Sequence, residues 1–313
     1  MKALVFTAPG TLELLDVPEP VVAGGDVLVH VRAAGICGSE LHGVRHPGFR
    51  RPPLIMGHEF AGVSADGEAV VINPILSCGD CDQCQRRSRH ICPNRQIIGV
   101  HRAGGFAERV AVPKSALRPM PTRLSWDSAA MVEPAANAVH AWTRAGGAAG
   151  ARAAIIGCGA IGLLCLLTGL ADGAASIDVS DLSPGRLAVA RQLGAEATEL
   201  HGEYDAIIDA AGVATTRADS VAHQRAGGVA VWLGLAENEA GFDANALIRA
   251  EKTILGSFAY SDEEFDRAMN LLAGRELGWT ESYPLTAGVG IFTELMNGGL
   301  HPAKALLRPE PAV

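Results

Sequence analysis

The sequence of 313 residues predicts an α/β protein in which a mostly-β region is followed by a doubly wound parallel sheet. Two observations predict this fold class. Residues 1–120 contain many short runs of alternating or β-branched residues, whereas from about Arg152 strand-like and helix-like runs alternate. Such alternation is typical of βαβ units, in which helices connect successive parallel strands.

The predicted strands of the mostly-β region follow from short apolar patterns. Met1–Phe6 predicts a first strand, and Val27–Arg32 alternates apolar and polar side chains as a half-buried strand does. Phe60–Ser64 and Glu68–Asn73 flank Ala65-Asp66-Gly67. Because Asp-Gly favours a tight turn, this stretch predicts a β-hairpin.

The second region predicts a regular succession of buried strands and helices. The predicted strands are Ala153–Gly157, Ser176–Asp181, Ala206–Ala210, Val229–Leu233 and Thr253–Phe258, and the helices between the first three are Ile161–Asp172 and Arg186–Leu193. A capping box at Ser261–Glu264 predicts a further helix through about Leu272. The tail is predicted to form short strands and turns that rejoin the first region.

Charge and composition exclude several classes of function. Lys and Arg total 26 against 34 Asp and Glu, a net charge of −8, so nucleic acid is not expected as a main partner. The longest apolar stretch, Ala153–Leu170, is interrupted by glycines and is a poor membrane span. The N-terminal residues lack the apolar core and cleavage site of a signal peptide, so a cytoplasmic location is expected.

Four of the seven cysteines form the cluster Cys78-x2-Cys81-x2-Cys84-x7-Cys92, here called the cysteine lobe (residues 78–92). An odd total with this spacing is not typical of disulfides and, in a reducing compartment, indicates metal binding. Four thiolates complete a tetrahedral shell around one zinc ion and leave no position for substrate, so the predicted role is structural. The alternatives are an iron–sulfur cluster and incidental cysteines.

A second group combines a lone cysteine with histidine, carboxylate and hydroxyl side chains. Cys37, Ser39 and His42 lie close together in the sequence, and His58 is followed directly by Glu59. Each of these residues alone is weak evidence for a metal site, because a single histidine more often has a structural role. Together they offer sulfur, nitrogen and oxygen ligands with one coordination position left open, which a catalytic zinc needs.

The segment Gly157-Cys158-Gly159-Ala160-Ile161-Gly162, here called the dinucleotide turn, follows a predicted strand and opens a predicted helix. Its glycines allow a tight turn and close approach to a pyrophosphate, whose negative charge the helix N-terminus favours. Asp181 lies nineteen residues after Gly162, where a carboxylate can bind the adenosine ribose. The alternative role of Asp181 is that of a surface helix cap.

The order of these motifs resembles the zinc-dependent medium-chain alcohol dehydrogenase superfamily, in particular its sorbitol (polyol) and threonine dehydrogenase-like branch. The resemblance covers essentially the whole chain. Besides the cysteine lobe and the dinucleotide turn, it rests on Gly35-Ile36-Cys37-Gly38-Ser39, Gly57-His58-Glu59, Gly104-Gly105-Phe106-Ala107-Glu108 and Val132-Glu133-Pro134. It implies a GroES-like catalytic domain at residues 1–133 and 261–313 and a Rossmann NAD-binding domain at residues 134–260.

The resemblance also implies a set of ligands for the catalytic zinc. Cys37 and His58 would bind the metal, and Glu59 would be a ligand or lie just behind it. Glu133 would bind the zinc directly or through water. Glu40 stands where the family more usually has an aspartate behind His58, and its extra methylene changes the geometry of that contact.

The implied reaction is hydride transfer between a secondary alcohol and NAD, giving a ketone and NADH, in a chain with two zinc ions. Zinc lowers the pKa of an alcohol bound to it. Ser39 matches the hydroxyl that takes the alcohol proton, and His42 matches the histidine that passes it to solvent. Ala160 and Ile161 of the dinucleotide turn are predicted to bind the cofactor. Arg186 matches a basic residue that lies beside the adenosine ribose in the family, and the alternative is an ordinary surface arginine.

One segment departs from the family. Only residues 195–204 separate the second predicted helix from the next strand, where the family has a third strand and a helix. A parallel strand needs a crossover of a dozen or more residues, so the third strand is predicted to be absent or reduced.

The expected substrate is a polyol, a sugar-derived alcohol or an amino alcohol. Arg45 and Arg50 would suit a polar or anionic molecule, although each could be a surface residue. Two alternatives are a zinc-free enone or quinone reductase and a non-catalytic oxidoreductase-like binding protein, and the zinc motifs argue against both. Thr253–Phe258 could pair across a two-fold axis, so a homodimer or homotetramer is expected.

Overall fold

The structure is a computed structural model that describes residues 1–46, 48, 50–196, 198–299 and 302–309. The strands before residue 150 are β1 (Lys2–Ala8), β2 (Thr11–Asp16), β3 (Asp26–Gly35), β4 (Leu54–Ile55), β5 (Glu59–Ser64), β6 (Ala69–Ile72), β7 (Ile75–Leu76), β8 (Gln96–Ile97), β9 (Arg109–Pro113) and β10 (Leu117–Pro119). The helices of this stretch are α1 (Gly38–Arg45), α2 (Asp82–Gln85), α3 (Trp126–Ala130) and α4 (Val132–Arg144).

The remaining elements first alternate between strand and helix and then return to a mixed pattern. In chain order they are β11 (Arg152–Ile156), α5 (Ala160–Ala171), β12 (Ser176–Ser180), α6 (Pro184–Leu193), β13 (Tyr204–Asp209), α7 (Ala214–Ala222), β14 (Gln224–Trp232), α8 (Ala244–Arg249), β15 (Thr253–Gly256), α9 (Asp262–Leu272), β16 (Thr280–Pro284), α10 (Gly288–Asn297) and β17 (Lys304–Arg308). The chain divides into two compact units, residues 1–133 with 261–313 and residues 134–260.

The first unit is mostly β. Its main sheet has the order β10-β6-β5-β3-β17-β16, with β9 also paired to β3, and β2-β1-β4 form a second sheet. The predicted hairpin is confirmed: β5 and β6 pair antiparallel, and Gly67 has the positive φ of 86° that a tight turn requires. Buried aromatic rings fill the interior, among them Phe106 and Phe292, which pack edge to face with centroids 5.6 Å apart.

The second unit contains a five-stranded sheet in the order β12-β11-β13-β14-β15. All four neighbouring pairs are parallel, which confirms the doubly wound sheet predicted from the alternation of strands and helices. Ala154, Ile156, Tyr204 and Ile207 form a buried apolar cluster in this unit.

In the described part of the segment between α6 and β13, the third strand is absent, as the short connection predicted. Between the end of α6 and the start of β13, the described residues form neither a helix nor a strand. The sheet is continuous without this strand, because β13 pairs directly with β11, with Ala154 opposite Ile207. Ten residues are long enough to cross from a helix end to the next strand at about 3.3 Å per residue.

The prediction for the tail was partly wrong. The tail does rejoin the first unit, because β17 pairs with β3 and β16 pairs with β17. It also contains α10, a ten-residue helix where only strands and turns were expected. Glycines at both ends of α10 indicated turns, but Val289, Phe292 and Met296 recur at helical spacing and place Phe292 in the core.

No helix in the described part of the chain combines the length and the apolar character needed to cross a membrane.

Candidate metal and cofactor sites

The cysteine lobe is built by one short segment of chain. The short strands β7 and β8 pair antiparallel at the two ends of this segment. Helix α2 and a 3-10 turn at Arg89–Ile91 lie between these two strands in the sequence. The Sγ–Sγ distances are 3.5 Å for Cys81–Cys84 and Cys92–Cys78, 3.7 Å for Cys81–Cys92 and 3.9 Å for Cys78–Cys84.

These distances fit a single tetrahedral zinc ion. Four sulfurs at about 2.3 Å from a common centre would lie about 3.8 Å apart. A disulfide would bring two sulfurs to about 2.05 Å, and all four cysteines are free thiols. Sulfurs this close can share one ion but cannot surround a cluster of several iron atoms. The donor set of four thiolates therefore suits a structural zinc.

The second metal candidate, here called the mixed site, consists of Cys37, His58 and Glu59. Their potential ligand atoms all lie within 4.8 Å of one another. The register of the main sheet produces this proximity, because Gly35 at the end of β3 pairs with Glu59 at the start of β5. Cys37 then follows as the N-cap residue of α1. A thiolate, an imidazole and a carboxylate are ligands that a catalytic zinc accepts.

Glu40 organises the mixed site from behind. Its fully buried carboxylate accepts hydrogen bonds from the backbone N–H groups of Cys37 and Gly57, each at 2.9 Å. It also lies 3.0 Å from Nδ1 of His58. This contact fixes the imidazole ring and leaves Nε2 for a metal. The glutamate side chain at position 40 therefore reaches His58, as the resemblance implied for the acidic residue at this position.

Glu40 and His58 each shift the pKa of the other. Burial alone would raise the pKa of Glu40, but the charge of His58 and the hydrogen bonds from His58 and Cys37 outweigh burial and lower that pKa. Burial alone would lower the pKa of His58, and the Glu40 carboxylate together with Cys37 raises that pKa well above its usual value. Glu40 is thus ionised and acts as a hydrogen-bond acceptor.

Lys304 is a component of this region that was missed in the sequence. It is buried and its ammonium forms an ion pair with the buried carboxylate of Glu59. Burial alone would lower the pKa of Lys304, but the negative charges of Glu59 and Cys37 raise it, so the lysine stays protonated. The sequence offered one signal, a single lysine in an otherwise apolar strand. Because lysine is almost never fully buried unless it is paired, such a lysine predicts a buried acidic partner.

Glu133 lies in the first turn of α4 and is buried. It is not one of the three residues whose ligand atoms lie within 4.8 Å of one another. The structure thus brings together Cys37, His58 and Glu59 and leaves Glu133 outside this group.

Ser39 and His42 both lie on α1, three residues apart and exposed to solvent. Ser39 Oγ accepts a hydrogen bond from the buried Arg50 guanidinium at 3.3 Å. The His42 ring packs against that of His46 with centroids 5.1 Å apart. Arg45, by contrast, is exposed and donates to the backbone oxygen of Met296. Arg50 thus contacts a predicted site residue.

The dinucleotide turn has the backbone shape that its glycines predicted. Gly157 has φ +94°, and a Cβ at Gly162 would overlap the carbonyl oxygen of Gly157. A Cβ at Gly159 would meet nothing within 4 Å, so the backbone is open at that point. Ala160 and Ile161 form the first turn of α5. A glycine with free space around it, placed directly before a helix N-terminus, allows a pyrophosphate to approach the backbone N–H groups.

Asp181 follows β12 and holds the dinucleotide turn in place. One carboxylate oxygen accepts a hydrogen bond from the backbone N–H of Cys158 at 2.6 Å, and the other accepts one from Ser183 at 2.7 Å. Arg186 lies 4.0 Å from the first of these oxygens. Each carboxylate oxygen can accept more than one hydrogen bond, so Asp181 can bind ribose hydroxyls while it keeps these contacts.

Two family models match the chain. The model of the alcohol dehydrogenase GroES-like domain matches residues 23–122, and that of the zinc-binding dehydrogenases matches residues 160–274. The L-threonine 3-dehydrogenase of Streptomyces avermitilis is 33% identical over 303 residues, which cover 87% of this chain and 88% of that protein.

Solved structures of similar fold cover nearly the whole chain. Galactitol-1-phosphate dehydrogenase from Escherichia coli has a TM-score of 0.91 and 27% identity, covering 99% of this chain and 100% of that chain. 2R,3R-butanediol dehydrogenase from Bacillus subtilis has a TM-score of 0.90 and 27% identity, covering 99% of both chains. A Sinorhizobium meliloti structure with bound NADP has a TM-score of 0.91 and 29% identity, covering 98% of this chain and 99% of that chain.

The chain belongs to the zinc-dependent medium-chain alcohol dehydrogenase superfamily. It is an oxidoreductase that acts on the CH–OH group of a small-molecule alcohol, with zinc and a nicotinamide cofactor.

Proposed function

We propose that this chain is an NAD-dependent dehydrogenase for a polar secondary alcohol of the polyol, sugar-derived or amino-alcohol class, and that it binds two zinc ions. The observation that supports this most directly is the proximity of the Cys37, His58 and Glu59 ligand atoms, within 4.8 Å of one another. The names of the relatives support the substrate class, since they specify threonine, butanediol and galactitol 1-phosphate.

Cys37 and His58 hold the catalytic zinc in this proposal, and Glu59 binds the metal or lies just behind it. Glu133 contributes through water or directly. A zinc ion held there would supply Lewis-acid polarisation of the alcohol oxygen. Ser39 accepts the alcohol proton at Oγ, and His42 passes it to solvent. In the described part of the chain no hydrogen bond joins Ser39 to His42, so a bridging hydroxyl or water completes the path.

Arg50 favours substrates that carry polar or anionic groups near the reacting carbon. Its guanidinium is buried and donates to Ser39 Oγ at 3.3 Å. A planar, permanently charged donor of this kind suits carboxylates, phosphates and neighbouring hydroxyls. Arg50 thus narrows the proposed substrate from any secondary alcohol to a hydrophilic one.

NAD is the proposed cofactor because Asp181 lies where the adenosine ribose would bind. A 2′-phosphate would place additional negative charge beside this carboxylate, and each unit pair at about 4 Å costs up to about 4 kcal/mol at an effective dielectric of about 20. Solvent reduces this value, so a preference for NAD of roughly 30–150-fold is expected. Arg186, 4.0 Å from Asp181, would weaken the preference.

A homodimer or homotetramer is the proposed assembly. The supporting observation is that β15 forms an edge of the five-stranded sheet, and Phe258 just beyond it is partly exposed. An edge strand offers unpaired backbone groups to a second copy. Light scattering at micromolar concentration tests this, and a monomer there would contradict it.

Metal analysis combined with a substrate panel tests the proposed function. We expect two zinc ions per chain and NADH formation, followed by absorbance, with polyols, sugar alcohols or amino alcohols. Cys37→Ser should retain one zinc and lose turnover. Turnover of enones by zinc-free protein would instead support a reductase, and a zinc-free protein without turnover would support a binding protein.

A further inference from the structure

The ion pair between Glu59 and Lys304 spans three strands of the main sheet. Glu59 begins β5 and pairs with Gly35 on one side of β3. On the other side of β3, Leu306 of β17 pairs with the same Gly35. Lys304 lies two residues before Leu306 and therefore has its side chain on the same face of the sheet. The two charged side chains approach each other across the end of β3.

Gly35 makes this approach possible. A Cβ at this position would overlap Glu59 Oε2 and come within 2.9 Å of Lys304 Cε. The space that any other residue would fill is thus occupied by the ion pair itself. Both partners are buried, with side-chain exposures of 4% for Lys304 and 1% for Glu59.

Lys304 is a buried cation beside a crowded group of acidic side chains. Glu40 and Glu59 are both fully or almost fully buried, and Cys37 lies in the same cluster as Glu59. A carboxylate with an ammonium on one oxygen is a weaker ligand for a metal than a free carboxylate, because its charge is already partly neutralised. The position of Lys304 therefore bears on how Glu59 behaves toward zinc.

We propose that Lys304 is a positioning residue of the mixed site: its ammonium holds the Glu59 carboxylate over Gly35 and so limits its competition with substrate for the catalytic zinc. This inference rests on the proposed function, in which zinc occupies that site. Lys304 touches neither the substrate nor the cofactor in this role and acts only through Glu59.

The test compares Lys304→Met and Lys304→Arg, alone and combined with Glu59→Gln, in protein whose zinc is exchanged for Co2+. Lys304→Met removes the ion pair, so Glu59 should bind the metal for a larger fraction of the time. The coordination number of the cobalt ion then rises, and its visible absorption bands should weaken. The alcohol KM should increase by about tenfold with a smaller change in kcat. Lys304→Arg keeps the charge and should restore the wild-type spectrum and KM. Exposed Lys114→Met is the matched control.

The double variants decide whether Lys304 acts through Glu59. In the Glu59→Gln background, Lys304→Met should cause little further change in spectrum or KM. An unchanged cobalt spectrum in Lys304→Met, or the same effect with and without Glu59, would overturn the inference. If Lys304→Met does not fold, Lys304→Gln, which keeps a hydrogen-bond donor, takes its place in the same comparison.

Metal analysis separates failure of this inference from failure of the proposed function. If Cys37→Ser loses no metal, the mixed site does not bind zinc and the proposed function fails. If Cys37→Ser loses one metal ion but Lys304→Met matches the wild type, only the role of Lys304 is wrong.

Discussion

The two metal candidates of this chain are assembled in different ways. The cysteine lobe takes all four sulfurs from residues 78–92, and their separations of 3.5–3.9 Å already fit a tetrahedral ion. The mixed site takes its ligands from the ends of β3 and β5, and buried Glu40 and Lys304 contact those ligands. A local site depends on its spacing, whereas a site across a sheet depends on register and on buried charged neighbours.

The sharpest test of this difference replaces one ligand in each site. Cys84→Ser should remove the lobe zinc and destabilise the fold, because a structural zinc contributes folding free energy directly. A loss of about 3 kcal/mol would lower Tm by roughly 5 °C, because unfolding entropy is about 2.1 cal/mol/K per residue and the chain has 313 residues. Cys37→Ser should leave Tm nearly unchanged and lower kcat/KM by about 1,000-fold, equivalent to about 4 kcal/mol of transition-state stabilisation.

Each variant should lose one zinc ion, measured by metal analysis alongside calorimetry and kinetics. Wild-type turnover in Cys37→Ser after loss of one zinc would show that the mixed site is not catalytic. Equal destabilisation by both variants would remove the distinction between a local structural site and a catalytic site built across the sheet.

Replacing Glu40, the hydrogen-bond acceptor of His58, tests whether zinc affinity at the mixed site depends on residues other than the ligands. In Glu40→Gln the side-chain amide can donate to Nδ1 of His58, which would place the ring proton on Nε2 and block metal binding there. We expect zinc affinity at the mixed site to fall by up to about 100-fold, with the cysteine lobe unaffected. Chelator titration of the zinc resolves the two sites, and equal affinity in wild type and variant would contradict the role of Glu40.

The same difference explains what the sequence could predict. The cysteine spacing, the glycines of the dinucleotide turn and the short connection before β13 are local patterns, so the lobe, the turn and the missing strand could be predicted. Lys304 and Arg50 could not be assigned, because their contacts with Glu59 and Ser39 depend on how distant segments pack. Helix α10 was missed because glycines at its ends outweighed an apolar periodicity that only packing makes decisive.

The dinucleotide turn is a second locally built site, and Asp181 tests whether local spacing also sets cofactor choice. Asp181→Ser removes the carboxylate that would repel a 2′-phosphate, so the ratio of kcat/KM for NADP to that for NAD should rise by about 30-fold. The same change removes hydrogen bonds to Cys158 and Ser183 and should weaken NAD binding. Steady-state kinetics with both cofactors measures the ratio. Asp181→Asn, which keeps the shape without the charge, separates repulsion from lost hydrogen bonds.

Equal use of NAD and NADP by the wild type would mean that Asp181 does not face the ribose. Asp181 would then only stabilise the dinucleotide turn, and the choice between NAD and NADP would depend on other residues.

The smallest expected effect concerns proton release at the mixed site, where Ser39 and His42 occupy the exposed surface of α1. His42→Gln removes a group that can bind and release a proton but keeps a hydrogen-bonding side chain of similar reach. Alcohol oxidation should fall by less than about tenfold, and most at low pH, where proton loss to solvent limits the rate. The profile of kcat against pH measures this, and added external base should restore part of the loss because it replaces the histidine. His46→Gln is the matched control, since His46 packs against His42 but is not assigned to the path. An unchanged profile in His42→Gln would make this histidine an ordinary surface residue, and the proton would then leave Ser39 directly to water.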